Sequence, residues 1–202
     1  MEKKWERYES WVSTEQLEEL SGKTVGIVGL GRIGTEIAEK ARCLGMRVIA
    51  TRRDTSRPAS TSVNRLFHPA DMNQLLAESD FVVLSLPLTG ETQGMIGEKQ
   101  LKSMKRTGYL INASRGRIVQ EDKLIEALKQ GWIAGAGLDT FENEPLPESS
   151  ELWGFKNVII TPHVAGLTPY YMERLTNIFC ENLDRFVRKQ PLMNIVDKTL
   201  GY

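Results

Sequence analysis

The sequence predicts a doubly wound α/β domain, a parallel sheet with helices on both faces. Short apolar runs at 24–28, 47–50, 81–86, 109–112, 135–138 and 158–161 alternate with stretches of helical period. Strands that alternate with helices at this spacing are joined by crossovers and therefore run parallel. The pattern Gly29-Leu30-Gly31-Arg32-Ile33-Gly34 stands between the first run and the first helix, where a Rossmann-type phosphate turn belongs. The expected domain spans 21–168, with a helical lead-in over 1–20 and a helix and tail over 169–202.

In chain order, Trp5, Tyr8, Trp11 and Val12 recur at three- and four-residue spacings, which predicts one helix or two short ones before Ser21-Gly22-Lys23. The strand at 24–28 stops at Val28, and Gly29 can take backbone angles closed to residues with a Cβ. Gly31 would let a pyrophosphate approach the main chain, and Gly34 would let the helix pack on the strand. Ile33, Ile37, Ala41 and Leu44 recur near the helical period, which predicts an apolar face turned to the sheet. Gly45 closes that helix before the second strand. Residues 55–69, rich in Ser, Thr, Arg and Pro, read as a loop with a short strand near Leu66. Helices are expected at 71–77, 98–105 and 121–130, with a Pro- and Glu-rich loop over 142–153. A long helix begins near Thr168-Pro169, a good N-cap and first-turn pair. Its apolar stripe is Leu175, Ile178, Phe179, Leu183, Phe186 and Val187.

A chain of 202 residues holds one sizeable α/β domain. Lys plus Arg and Asp plus Glu both number 26, so net charge gives no pull toward nucleic acid or an acidic membrane. No run has the length of a membrane span, and the charged, aromatic N-terminus lacks the apolar core of a signal peptide. The cytoplasm is therefore the expected location. Cys43 and Cys180 stand apart, without a CxxC pair or clustered His, and are expected to be buried thiols.

Four loops follow later strands: PLTGET at 87–92, NASRGRIV at 112–119, GLDTFENEP at 137–145 and TPHVAG at 161–166. With GLGRIG, in this order and at these separations, they closely resemble the nucleotide-binding domain of the D-isomer-specific 2-hydroxyacid dehydrogenases. The likeness runs from Leu20 to the closing DKTLGY. It implies hydride transfer between the nicotinamide and the 2-carbon of a small 2-oxo or 2-hydroxy acid. Arg115 matches the family's substrate arginine, whose planar, permanently charged fork suits a carboxylate and a ketone oxygen. His163 matches the acid-base histidine, a residue type that titrates near neutral pH. Glu144 matches the carboxylate that orients that ring. His68, in the irregular segment, is expected to be exposed and without a role.

The resemblance also implies the cofactor contacts. Gly29, Gly31 and Gly34 shape the turn, Arg32 and Ile33 offer backbone amides to the pyrophosphate, and Pro87 and Thr92 join them, Thr92 through its hydroxyl. Ala113, Ser114, Arg115, His163, Val164, Ala165 and Gly166 surround the nicotinamide. Asp139 accepts from its carboxamide, a turn role being the rival reading.

Two departures stand out. The NAD-preferring form of the fold carries an acid at the end of the second strand; here Thr51-Arg52-Arg53 stand there, which predicts NADP(H), with NAD as the alternative. Family members also place further residues before the position of Met1, building most of a separate substrate domain. The resemblance thus implies that this domain is largely absent here and that cofactor binding outlasts turnover. EPLP and DKTLGY resemble the glyoxylate and hydroxypyruvate reductase branch, and the family suggests a homodimer. The rival readings are an NADP-binding or oligomerising module without turnover, and an unrelated Rossmann enzyme, which would explain GLGRIG but none of the later loops.

Overall fold

The structure, a computed structural model, describes residues 18–56, 60–199 and 201. Seven strands, β1 Thr24–Val28, β2 Arg47–Thr51, β3 Arg65–Phe67, β4 Phe81–Leu84, β5 Tyr109–Asn112, β6 Gly135–Leu138 and β7 Val158–Ile160, form one sheet in the order β3-β2-β1-β4-β5-β6-β7. Every neighbouring pair is parallel. Five helices accompany them: α1 Arg32–Cys43, α2 Met72–Glu78, α3 Glu98–Ser103, α4 Glu121–Gln130 and α5 Tyr171–Val187. The strand order reverses between β1 and β4, so the loops leaving their carboxyl ends diverge and open a crevice there.

Successive strand residues point to opposite faces, and the core divides accordingly. Val25 and Ile27 of β1 join Ala38 and Ala41 of α1 on one face, whereas Val82 and Leu84 of β4 join Leu75, Leu101 and Leu124 on the other. Each of these fully buried Leu or Ile side chains contributes about 1.5–3 kcal/mol. Close packing of α2 on β1 depends on Gly26, where a Cβ would lie 2.1 Å from Ser79 Oγ and 2.6 Å from Leu75 Cδ2. At the amino edge of the sheet, Asp80 accepts from Thr24 N–H and from Lys105 Nζ, both at 2.8 Å. Burial pushes the Asp80 carboxyl up, but these two bonds and the lysine charges hold it below its usual value.

Four expectations need correction. The buried face of α1 is Gly34, Ala38 and Ala41, while Ile33 and Leu44 are exposed. Small residues let the helix axis come closest to the sheet, and the larger apolar ones are turned aside. Helices do not cover both faces completely among the described residues. On the face carrying Tyr109, Ile111 and Ile159, Ile159 is 72% exposed. The final helix begins at Tyr171 rather than Thr168; its apolar stripe is exposed among the described residues. Cys43 and Cys180 are both exposed, since each lies on a helix surface that nothing described covers. The proposed helix at the N-terminus falls almost wholly outside the described residues. No described helix is long and apolar enough to cross a membrane.

Gly26→Ala should lower stability by about 1–3 kcal/mol through overpacking, read as a reduced urea midpoint at unchanged slope. An unchanged midpoint would mean that α2 does not rest on β1 at this point.

Candidate active site

The glycine turn after β1 is built by contacts that exclude side chains. Gly29 has φ 102°, and a Cβ there would lie 2.4 Å from the Ser85 carbonyl oxygen. A Cβ on Gly34 would lie 2.4 Å from the Gly29 carbonyl oxygen, which is how α1 comes to sit on the turn. Gly31 differs: apart from its own atoms and those of its two chain neighbours, no described atom lies within 4 Å of where its Cβ would be. Its openness faces a cleft of about 520 Å³ that Gly29, Gly31, Arg52, Arg53, Pro87 and Thr92 help to line. Helix geometry leaves the first-turn N–H groups of α1 without intrahelical acceptors, and no side chain caps them. A bare turn, open space over a glycine and unpaired donors suit a pyrophosphate, so these residues fit the nucleotide that the sequence implies.

Two hydroxyls expected at the cofactor also have partners within the protein. Thr51 Oγ1 accepts from Gly29 N–H at 3.1 Å, tying the end of β2 to the turn. Thr92 is buried; its hydroxyl donates to the Pro87 carbonyl at 2.7 Å and accepts from Thr89 N–H at 2.8 Å, which staples residues 87–92. Arg52 Nε donates to the Asp54 carbonyl at 2.7 Å, and Arg53 pairs with Glu91. Arg32, exposed at the head of α1, donates to the side chain of Asn194 in the tail, a partner the sequence gives no signal for.

Further along the same edge, three loops meet. After β5, the buried Asn112 Oδ1 accepts from Ser114 N–H at 3.1 Å and from its hydroxyl at 2.8 Å, while Asn112 Nδ2 donates to the Arg115 carbonyl at 3.0 Å. Residues 112–115 are thereby fixed as a side-chain-closed turn, and Ala113 and Arg115 are left exposed. Arg115 Nη1 donates to the Ser114 carbonyl at 2.6 Å. Gly116 then lies against the loop after β6: a Cβ on it would come within 1.9 Å of the Phe141 carbonyl. Phe141 N–H donates to Glu144 Oε1 at 3.1 Å, and Glu144 Oε2 lies 2.8 Å from His163 Nδ1. The hydrogen bond with His163 holds the Glu144 carboxyl below its usual value, against some burial, with Phe141 N–H and the charges of His163 and Arg115 helping. Arg115, Glu144 and His163 therefore share one electrostatic neighbourhood.

The loop carrying His163 is held from below by Asp139. Oδ1 accepts from the Thr161 hydroxyl at 2.6 Å and Val164 N–H at 2.9 Å, and Oδ2 accepts from Ala165 N–H at 2.9 Å. Burial pushes the Asp139 carboxyl up; the bonds from Thr161, Ala165 and Val164 outweigh it, and the group lies below its usual value. A carboxylate has about four acceptor positions, so one on Oδ2 stays open to a carboxamide. The N–H groups of Val164 and Ala165, in contrast, are taken. His163 has φ 55°, a left-handed conformation that few non-glycine residues adopt. Gly166 is exposed with open space around it. His68, also exposed, accepts from Ala70 N–H through Nδ1.

Asp139 and Glu144 titrate lower in the folded chain than in the unfolded one, so their stabilisation is complete above the unfolded values of about 4 and is lost as pH falls through the folded ones. The contribution of these two groups to the urea midpoint should be level from about pH 7 to 5 and fall below about pH 4, with Asp139→Asn flattening the fall. An equal fall in that variant would remove the Asp139 tether from the account. Gly116→Ala should cost about 1–3 kcal/mol; wild-type stability would show that the two loops are not in contact.

Comparison with known proteins agrees with this geometry. The family model for the D-isomer specific 2-hydroxyacid dehydrogenase, NAD binding domain, matches residues 1–165. The glyoxylate reductase of Thermococcus gammatolerans is 45% identical over 177 residues, covering 88% of this chain and 52% of the relative, so the chain spans about half the relative's length. A D-isomer specific 2-hydroxyacid dehydrogenase from Xanthobacter autotrophicus, solved with NADPH and MES, superposes with a TM-score of 0.83 at 38% identity, over 89% of this chain and 73% of that one. An NADPH-dependent glyoxylate/hydroxypyruvate reductase from Sinorhizobium meliloti, solved with NADP and sulfate, gives 0.85 at 32% identity, over 96% and 63%. With the nucleotide turn and the histidine–carboxylate pair on one sheet edge, the chain belongs to the D-isomer specific 2-hydroxyacid dehydrogenase family and carries its NAD binding domain.

Proposed function

We propose that this chain is the nucleotide-binding and catalytic portion of an NADP(H)-dependent 2-oxoacid reductase acting on glyoxylate or hydroxypyruvate. The observation that carries the reading is the 2.8 Å contact between Glu144 Oε2 and His163 Nδ1, with Arg115 close enough to act on the same carboxylate. Ring nitrogen Nδ1 bound to Glu144 leaves Nε2 to hold the proton that passes to the substrate oxygen in reduction and returns in oxidation. Arg115 would pair with the substrate carboxylate and stabilise the charge that gathers on that oxygen. The bound nicotinamide supplies the hydride; the glycine turn and the Ala113–Ser114 and Ala165–Gly166 segments would hold it in reach.

Arg52 and Arg53 at the cleft support NADP(H) over NAD, since guanidinium groups suit a 2′-phosphate and no acid stands at the end of β2, where the NAD-preferring form carries one. The exposed apolar stripe of α5 supports the reading that the helix and tail return to a further substrate domain, and pairing of two copies belongs to the same proposal. The second reading is a nucleotide-binding module without turnover, in which the glycine turn still holds the nucleotide.

Fluorescence titration should show tighter binding of NADPH than NADH; the reverse order would overturn the NADP assignment. In a form joined to its substrate domain, Arg115→Ala and His163→Ala should each lower kcat/KM for NADPH-driven glyoxylate reduction by at least about 100-fold. Rates within about threefold of wild type would remove both residues from these roles. NADPH binding with no turnover in that same form would favour the module.

A further inference from the structure

Two side chains of opposite charge meet across the mouth of the nucleotide cleft. Arg53 arrives from the end of β2 and Glu91 from the turn after β4; both line the cleft, and Arg53 Nη2 donates to Glu91 Oε2. In the sheet, β2 and β4 are separated by β1, so the pair spans the opening. The turn that carries Glu91 is fixed by the Thr92 hydroxyl and by Gln93 N–H donating to the Thr89 carbonyl at 2.9 Å. Arg52 directs Nε to the Asp54 carbonyl, and Arg53 is the guanidinium that reaches across to Glu91.

We propose that Glu91 is a specificity-determining residue that holds Arg53 across the cleft and competes for it with the ribose 2′-phosphate. The inference rests on the reading of Arg52 and Arg53 as the 2′-phosphate site. A phosphate dianion draws on the Arg53 guanidinium whose Nη2 is bonded to Glu91, and on entering it meets a carboxylate of its own sign. NADH carries a hydroxyl at that position and makes no such demand, so the ion pair can stay closed over it. Glu91 therefore narrows the margin by which NADPH is preferred. Both partners are substantially exposed, so the effect is modest, about two- to tenfold, and shrinks with added salt.

The test is titration of the chain with NADPH and NADH, and with 2′,5′-ADP and 5′-AMP as probes that differ only in the 2′-phosphate, for wild type, Glu91→Gln, Arg53→Gln and the double variant. Glu91→Gln keeps the shape of an exposed side chain. It should tighten NADPH and 2′,5′-ADP by about two- to tenfold while leaving NADH and 5′-AMP within about 1.5-fold. The gain should vanish in the Arg53→Gln background. Unchanged or weakened NADPH binding in Glu91→Gln, or equal tightening of NADH, would overturn the proposal. If wild type prefers NADPH and Arg53→Gln abolishes that preference while Glu91→Gln changes nothing, Glu91 alone is wrong. If Arg53→Gln leaves NADPH binding intact, the arginine site itself fails, and the role of Glu91 with it.

Discussion

Asp139 follows β6 with its side chain buried and accepts three hydrogen bonds from a loop more than twenty residues later in the chain. Without those bonds, residues 161–165 would be an exposed connection leaving a three-residue strand. With them, the loop is fixed at both Thr161 and Ala165, and the left-handed backbone of His163 is held between. An isolated histidine pays an energetic cost for that conformation, and such strain persists only where surrounding contacts over-determine it. The carboxylate of Asp139 is what over-determines it here. Its two oxygens serve donors on either side of His163, so the backbone from which the imidazole reaches Glu144 cannot shift without breaking bonds to a buried charge, which are among the stronger hydrogen bonds in proteins.

The other half of the constellation is fixed by exclusion. Gly116 meets the backbone of Phe141 so closely that no side chain fits, and Phe141 in turn donates to Glu144. The distance from the arginine loop to the carboxylate is thus set by two main chains in contact, a stiffer spacer than any pair of side chains. Parallel strands supply the rest. Because β5, β6 and β7 are neighbours running the same way, the loops leaving them emerge side by side on one edge. Arg115, Glu144 and His163 are far apart in sequence for that reason and adjacent in space for the same one.

Much of this is legible in the residues, and what is not has a common cause. Strand positions are readable because a buried parallel strand is a continuous apolar run, a local property; β5 and β6 fall at 109–112 and 135–138 as expected. The glycine turn is readable because its demands fall on the backbone. Hydroxyl direction is not: that the Thr51 hydroxyl meets the Gly29 amide and the Thr92 hydroxyl meets the Pro87 carbonyl is visible only in the fold. The face of α1 is misread for a related reason. Apolar spacing picks out Ile33 and Leu44, but the helix approaches on Gly34, Ala38 and Ala41, a choice made by interhelix and sheet distance rather than hydrophobicity. Asn194 and Glu91 lie outside any spacing rule, since their partners come from elements that only the fold brings near.

The layout of the edge also bears on what kind of nucleotide the two sites serve together. The phosphate turn follows β1, while Asp139 and the Glu144 loop follow β6, three strands away in the sheet. Neighbouring strands lie about 4.8 Å apart, which puts the two ends about 14 Å from each other. A mononucleotide with its phosphate over Gly31 would stop short of His163. A ligand that carries chemistry at the dyad while anchored at the turn has to run along the crest, with its charged middle over the helix N-terminus and one ring system toward each end. The arginines flank the turn on the β2 side and the histidine–carboxylate pair lies on the β6–β7 side, so under the proposed function the edge has a recognition end and a reacting end. That asymmetry is what a dinucleotide cofactor requires, and it follows from a strand order that turns back at β1.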